Sequence, residues 1–536
     1  MNMSNENNAD SPLVKAIKEA YRSGQEDEEL EPIVVVDSSQ NPIGRIERGD
    51  SVIFYDIRGE REIQITESLI DANFDRFESK RDLDLNFVTM IEYSSSLDVR
   101  VAFPPEAEVK NTFTEVVTQS GLTLVKVAES EKAIHVGYFM NGKNEKSFPG
   151  ERRVFVPSPE GVDSYAETPE MSAEKVTASI LAQMDDPNVH VIVGNFANVD
   201  VLGHIEDKSA VLKAVEVVDE QLALLVDECR RRGVTVVVSA DHGTVEEWKY
   251  PDGTVNTGHT KNPVPFILAD FSLKNPSGLD LKDHGELSDV APTLLELLGL
   301  EKPEEMTGQS LIEAPALRKN GVRKLLFLIL DGWGIKEDIF GNLIEEANTP
   351  NFDRFWAQFP HAVLEASGEA VGMPADTVGN SEAGHLHLGA GRRILLDRVR
   401  IDKSIADGSF YQNPAFLWVM QRAKDKNRAL HLLGIVSFYS SHGTLDHLFA
   451  LLRMAKNLGL TEVYVHSLIG RRGERPESGS IYVDKVEQEC RSLSTGKVVT
   501  VMGRYWALDR EENWDRVEKA YRSLVFGVGT PAVELF

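Results

Sequence analysis

Apolar residues along the chain fall into two alternating periods. Short unbroken runs at 51–57 (SVIFYDI), 134–140 (IHVGYFM), 190–195 (HVIVGN) and 234–239 (VTVVVS) predict buried strands. Between them the period changes to 3.6. Val211, Leu212, Val215, Val218, Leu222 and Leu225 form one stripe in a stretch that Ser209 opens as N-cap and Gly233 closes. The second half repeats the alternation. Residues 324–330 read as a strand ending in Asp331-Gly332-Trp333-Gly334, 431–437 and 462–470 as strands, and 445–457 as a helix between them. This order predicts an α/β fold with largely parallel sheets. At 536 residues the chain exceeds one hydrophobic core and should form two or more domains. The clearest linker is 313–323 (EAPALRKNGVR).

Composition narrows the function classes. Apolar content of 42% and charged content of 26% are those of a globular protein. The 57 basic and 85 acidic residues give a net charge of −28, which excludes a nucleic-acid surface. It leaves room for small anions, because a few arginines or bound cations can invert the field within a cleft. Cys229 and Cys490 are too far apart in sequence and too few to suggest a disulfide framework. With a polar, signal-free N-terminal segment and no apolar run long enough to span a bilayer, a cytoplasmic location is expected, without a membrane.

Four segments place metal-ligating residue types at predicted strand ends or in flexible loops. They are Asn198 to His204 (NVDVLGH), Ser239 to Gly243 (SADHG), Thr257 to Thr260 (TGHT), and Asp331. Loops at the carboxyl ends of strands converge in α/β sheets. Asp200, Asp241, Asp331, His204, His242 and His259 make a mixed oxygen and nitrogen set suited to manganese or zinc. In VGNSEAGH, Ser381 is flanked by small residues, and two readings stand level on local sequence: a helix cap, or a nucleophile at an amide-rich helix start. Arg58 and Arg61, Arg471 and Arg472, and Arg504 and Arg510 follow predicted strands and suit phosphate or carboxylate; Lys132 and His442 are further candidates.

The segments GNSEAGH, NVDVLGH, ADHG, TGHT, LILDGWG, SVIFYDIRGERE and GRYWALDREENWDRVEKAY closely resemble the motifs of cofactor-independent phosphoglycerate mutases, members of the alkaline phosphatase superfamily. The order differs. LFLILDGWG, similar to that family's N-terminal strand, begins near 325, and EEMTGQSLI, similar to its C-terminal end, lies at 304–312. The resemblance therefore implies a circular permutation, with two α/β domains each built from two separated pieces. These would be a phosphatase-like metal domain from 108–312 and 324–396, and a transferase domain from 12–107 and 397–536. It further implies two divalent ions, manganese with zinc or cobalt as alternatives, and no bisphosphoglycerate. Asp200, His204 and His259 would hold one ion, and Asp331, Ser381, Asp241 and His242 the other. Ser381 would be the nucleophile and Lys132 the cation beside the phosphoryl group. Arg58, Arg61, His442, Arg471, Arg504 and Arg510 would bind a small phosphorylated acid, and the protein is expected to be a monomer.

The substrate side departs from the family pattern. Where the family has Gly-Gly-Val-His-Ser-His, this chain has Phe438-Tyr439-Ser440-Ser441-His442-Gly443-Thr444. Where it has Asp-Gly-Arg-Asp, this chain has Ile469-Gly470-Arg471-Arg472. Arg472, counted with the substrate-binding set, replaces a proton-moving carboxylate and stays protonated. Two expectations remain: a mutase whose acid group has moved elsewhere, or a phosphatase or phosphotransferase for a different phosphorylated or phosphonate acid.

Overall fold

The structure is a computed structural model that describes residues 11–105, 109–159, 161–162, 164–313, 324–437, 442–470 and 477–534. The chain forms two compact units, one from residues 1–105 with 397–536 and one from 106–396. Each has its own apolar core. Among the described residues each holds an eight-stranded sheet, and the fold is α/β in both. No described helix is long and apolar enough to cross a membrane.

In the 106–396 unit the strands run in the order His284–Glu286, His361–Glu365, Val264–Asp270, Thr235–Ser239, Leu325–Leu330, Val191–Phe196, Leu124–Glu129, Glu151–Val156. All pairings are parallel except the two made by Val264–Asp270. Every residue of LLFLIL (325–330) is buried, as a strand covered on both faces requires. The expected 3.6-period stripe is the helix Lys208–Arg232, closed by Gly233 in the left-handed conformation (φ 66°). Its cap is Asp207 rather than Ser209. The Asp207 carboxylate accepts from Ser209 N (3.0 Å) and Ala210 N (3.1 Å), so the helix starts earlier than expected. The expected strand at 134–140 is instead a π-type turn, His135–Phe139. Val136 and Met140 are its buried apolar pair, at the i, i+4 spacing of a helical face.

In the other unit the order is Thr530–Val533, Ile33–Val36, Lys497–Gly503, Val463–Ile469, Leu430–Ile435, Ser51–Phe54, Asn86–Ile91, Arg100–Phe103. Only the pairing of Ile33–Val36 with Lys497–Gly503 is antiparallel. The strand expected over 51–57 ends at Phe54, because Asp56 leaves the ladder and its Oδ1 accepts from Ile435 N (2.7 Å). Of the expected linker, 314–323 lies outside the described residues.

Candidate active site

Four neighbouring parallel strands of the 106–396 unit deliver their next residues to one place. Lys132 follows Leu124–Glu129, Asp200 follows Val191–Phe196, Asp331 follows Leu325–Leu330, and Asp241 and His242 follow Thr235–Ser239. This is the carboxyl edge of the sheet, where α/β proteins bind ligands. Ser381 comes from the first turn of the helix Ser381–Ala390, whose cap is Asn380; its Oδ1 accepts from Ala383 N (2.9 Å). The level choice on local sequence is thereby resolved against Ser381 as the cap residue. His204 and His259 complete the group at the rim of a cleft of about 580 Å³ that Lys132, His135, Asp200 and Ser381 also line.

Two glycines in the serine motif let this helix approach the sheet. A Cβ on Gly384 would lie 2.4 Å from the Asp241 carbonyl oxygen, and one on Gly379 would lie 2.8 Å from His242 Cβ. The spacing of GNSEAGH thus seats Ser381 against Asp241 and His242.

Lys132 Nζ sits at the focus, 2.6 Å from Asp200 Oδ2, 2.6 Å from Asp331 Oδ1 and 2.7 Å from Ser381 Oγ. His242 Nε2 is 2.9 Å from the same hydroxyl, and Ser381 Oγ reaches Asp331 Oδ1 at 3.3 Å. His259 Nε2 lies 3.2 Å and His204 Nε2 3.4 Å from Asp200 Oδ1. His242 Nε2 stands between the carboxylates, 3.5 Å from Asp200, 3.5 Å from Asp241 and 3.6 Å from Asp331. The residues that the resemblance divides between two ions are therefore all in one cluster, with His242 reaching both sides of it.

The donor set fits divalent cations. Three aspartates lie nearly or fully buried here, and two of them, Asp200 and Asp331, pair with one ammonium. Among the described residues, Asp200 Oδ1 and Asp241 Oδ2 are buried without a hydrogen-bond donor. Each of these three histidines gives its Nδ1–H to a backbone carbonyl: His204 to Thr257 (2.7 Å), His259 to Gly379 (2.9 Å), His242 to Gly243 (3.2 Å). That fixes the tautomer and turns Nε2 lone pairs inward, the arrangement of metal-binding imidazoles. The Nε2 atoms of His204 and His259 face each other at 3.1 Å, a contact that needs a proton or a cation between them. The charges follow suit. Burial opposes ionisation of Asp200, yet Lys132 together with His204, His259 and His242 outweighs it and holds the carboxyl well below its usual range. Burial and the Asp241 charge raise Asp331.

Sequence reasoning missed His385 and Asn195 as members of this site. His385 Nδ1–H donates to the Ser381 carbonyl (2.9 Å) and lies 3.1 Å from Asp241 Oδ2. Asn195 donates to Asp331 Oδ2 (2.9 Å) and stands 3.1 Å from His385 Nε2. Asp241, Asp331 and His385 form a second compact group of potential metal donors beside Asp200, His242 and His259. His385 lies one helical turn beyond Ser381, and that spacing was the available signal.

The predicted arginines belong to the other unit. There too the residues follow the carboxyl ends of parallel strands in one sheet: Arg504 after Lys497–Gly503, His442 beyond Leu430–Ile435, Arg58 and Arg61 beyond Ser51–Phe54. Arg510 Nη1 binds Glu60 Oε2 at 2.8 Å, and Arg58 Nη2 is 3.9 Å from the same oxygen. Arg61 donates to the Leu508 carbonyl (3.2 Å) and Arg504 to Glu28 (2.9 Å). His442 Nδ1 is 2.6 Å from Glu62 Oε1. Arg471, Arg472 and Tyr439 lie outside the described residues.

Comparison with known proteins bears on both units. Residues 5–302 match the family model of the Metalloenzyme superfamily. Residues 401–534 match that of the BPG-independent PGAM N-terminus. The 2,3-bisphosphoglycerate-independent phosphoglycerate mutase of Moorella thermoacetica is 41% identical over 305 residues, covering 57% of this chain and 58% of that protein. That of Listeria monocytogenes is 38% identical over 302 residues, covering 56% and 58%. That of Methanococcoides burtonii is 41% identical over 304 residues, covering 56% and 57%. The aligned part thus spans less than two thirds of the length of each of these relatives. A solved phosphoglycerate mutase of Leishmania mexicana is 31% identical over 52% of this chain and 53% of that one, with a TM-score of 0.36.

Proposed function

Because the chain belongs to the Metalloenzyme superfamily, we propose that it is a metal-dependent phosphomutase. It would move a phosphoryl group between hydroxyls of a phosphoglycerate-like acid through a phosphoserine at Ser381. The observation that carries this reading is the setting of the Ser381 hydroxyl, 2.7 Å from Lys132 Nζ and 2.9 Å from His242 Nε2 among three buried aspartates.

Asp200, His204 and His259 would hold one divalent ion and Asp241, His242, Asp331 and Ser381 a second, with manganese the first choice. Such ions would lower the pKa of the serine hydroxyl and neutralise phosphoryl oxygens. Ser381 Oγ attacks phosphorus in line, and the substrate oxygen departs as the Ser381–phosphate bond forms. Lys132 brings an ammonium, already hydrogen-bonded to that hydroxyl, to face the charge gathering on the phosphoryl group. His385 orients the Ser381 backbone and Asp241 together. In the other unit, Arg58, Arg61, Arg504 and Arg510 would bind the acid's carboxylate and phosphate as guanidinium forks. Arg471 and Arg472 are assigned to the same set from the sequence alone.

The order of the motifs supports a circularly permuted chain. A family model described as an N-terminus matches residues 401–534, near this chain's C-terminal end, while the Metalloenzyme match begins at residue 5. We assign the phosphatase-like role to 108–312 with 324–396 and the transferase role to 12–107 with 397–536. The free, buried Cys229 and Cys490 support a reducing, cytoplasmic setting. A monomer is the expected solution state, to be checked by light scattering.

The test incubates manganese-loaded protein with 3-phosphoglycerate and follows 2-phosphoglycerate and free phosphate together. Interconversion without phosphate release supports the mutase, and hydrolysis of simple phosphate esters without interconversion overturns it. Ser381→Ala should lose both turnover and any acid-stable phosphoprotein.

A further inference from the structure

The 1–105 and 397–536 unit holds a buried cluster in which two carboxyl groups, Asp56 and Glu62, stand beside His442 without an assigned chemical task. Asp56, Glu62 and His442 each bring a side-chain donor atom to within 4.8 Å of the others. His442 Nδ1 and Glu62 Oε1 are 2.6 Å apart, and Glu62 Oε2 accepts from Arg61 N at 3.0 Å. Asp56 is fully buried, and its Oδ1 accepts from Ile435 N (2.7 Å). Among the described residues its Oδ2 meets no donor.

The two phenols beside it are engaged elsewhere. Tyr55 donates to the Ile435 carbonyl (3.3 Å), and Tyr93 to the carbonyls of Phe54 (3.0 Å) and Asp56 (2.8 Å). The nearest carboxyl to Asp56 here is that of Glu62, the two side chains bringing oxygens within 4.8 Å of each other. Two buried carboxyl groups this close disfavour a second charge, so one of them holds a proton.

We propose that Glu62, sharing that proton with Asp56, is the proton store for the substrate hydroxyls and works through His442. This rests on the mutase reading above and locates the acid group that Arg472 cannot supply. The electrostatics agree with the geometry. Burial raises Asp56 well above the usual carboxyl range, and the Glu62 charge adds to it. Burial pushes Glu62 up to about 8, although the backbone amides, Asp56 and Arg58 oppose the shift. Burial lowers His442; Asp56 opposes this, and Arg504, Arg58 and Arg61 lower it further. At neutral pH the carboxyl pair therefore holds the proton, and the imidazole is neutral and can relay it. The same three guanidiniums make the cluster a poor cation site and a good place for an anionic substrate.

The step balances. As the P–O bond to the substrate breaks and the Ser381–phosphate bond forms, the departing oxygen takes a proton from His442 Nε2. Nδ1 takes one from Glu62 in turn. On return, the second hydroxyl gives its proton to Nε2 while its oxygen bonds phosphorus and the Ser381–phosphate bond breaks. Nδ1 then restores the proton to Glu62, and none is gained or lost over the cycle.

The experiment uses the full manganese-loaded chain with 3-phosphoglycerate and, separately, p-nitrophenyl phosphate, whose phenolate departs without needing a proton. Glu62→Gln should lower the ratio of the first activity to the second about a hundredfold. It should also abolish a fall in kcat above about pH 8 in the parent protein. Asp56→Ala should shift that fall to higher pH, because Glu62 would lose a side chain that opposes its upward shift in the parent. An unchanged ratio in Glu62→Gln overturns the inference while leaving the mutase reading intact. A parent protein that cannot interconvert phosphoglycerates overturns both. A drop of one bound metal per chain in Glu62→Gln would make the cluster a metal site and overturn the proton store. Should the variants not fold, the infrared spectrum of the parent protein decides. A buried protonated-carboxyl band at neutral pH that disappears above about pH 8 supports the proposal, and its absence overturns it.

Discussion

Lys132 and Ser381 are joined by a 2.7 Å contact between Nζ and Oγ, although 249 residues separate them in the chain. The contact exists because one strand ends and one helix begins at the same edge of a sheet. It puts a fixed positive charge on the hydroxyl assigned as nucleophile, and burial alone would make that ammonium costly. Burial does lower the lysine's affinity for its proton, but Asp331, Asp200 and Asp241 reverse the effect and hold its pKa above the usual lysine value.

Lys132→Met should therefore act on stability and on turnover separately. Without metal it leaves Asp200 and Asp331 buried and unpaired, at a cost of about 3–5 kcal/mol. With manganese the deficit should shrink, while kcat stays about 10²–10³-fold down. Thermal melts with and without manganese, beside turnover, check this. Equal melting of the variant and parent in both conditions would remove the lysine from the charge balance.

His385→Ala should weaken metal binding about 10–100-fold, since His385 steadies both Asp241 and the Ser381 backbone. Manganese titration by calorimetry reads this directly. His387→Ala is the control. His387 lies on the same helix but, among the described residues, bonds the Ala383 carbonyl (2.7 Å) and Ile394 N (3.0 Å) and no site residue, so its loss should leave the affinity within about threefold.

Gly384→Ala adds one methyl group 2.4 Å from the Asp241 carbonyl oxygen and 2.7 Å from Asp241 Cβ. Neither the helix nor the strand end can yield without moving a site residue. The variant should lose about 1–3 kcal/mol and bind manganese more weakly. Gly253→Ala, where a Cβ meets nothing within 4 Å, should bind manganese as the parent does. Matching affinities for Gly384→Ala and the parent would show that the approach is not needed.

The raised pKa of Glu62 makes a stability prediction independent of activity. Its folded value of about 8 lies above the ordinary 4.5. The stabilisation from holding the proton is full below the ordinary value and is lost as pH rises toward the folded one. Glu62→Gln has no such proton to lose. Its melting temperature should gain on the parent's by about 5 °C or more between roughly pH 5 and pH 8. A difference that is flat across that range would mean Glu62 ionises normally.

The strand ends were legible in the sequence where residue type and position agreed. Asp200, Asp241, His242 and Asp331 each follow an apolar run that is a strand, and all four come together. The run at 134–140 misled because period alone cannot separate a short buried strand from a helical turn. Asp207 was missed as a cap because Ser209, two residues on, is also a favoured capping type. The acid cluster lay beyond reach for a different reason. Glu62 and His442 are 380 residues apart, and only the strand order Leu430–Ile435 beside Ser51–Phe54 makes them neighbours. Nothing in YDIRGERE says that two of its carboxyl groups are buried, since a sequence of that polarity usually lies on a surface.

The strand Leu325–Leu330 also bears on how the chain is made. It is hydrogen-bonded on both sides, to Val191–Phe196 and to Thr235–Ser239, and both are synthesised long before it. At about 5–20 residues per second, the ribosome leaves those two strands facing an unfilled slot for several seconds. Two apolar edges exposed for that interval are a template for the wrong strand, including one from a neighbouring polysome chain. We predict that nascent chains stalled before this strand are protease-sensitive and bind chaperones. Chains stalled well after it should be resistant through Val191–Ser239, and equal sensitivity in the two would show that the sheet assembles without its middle strand.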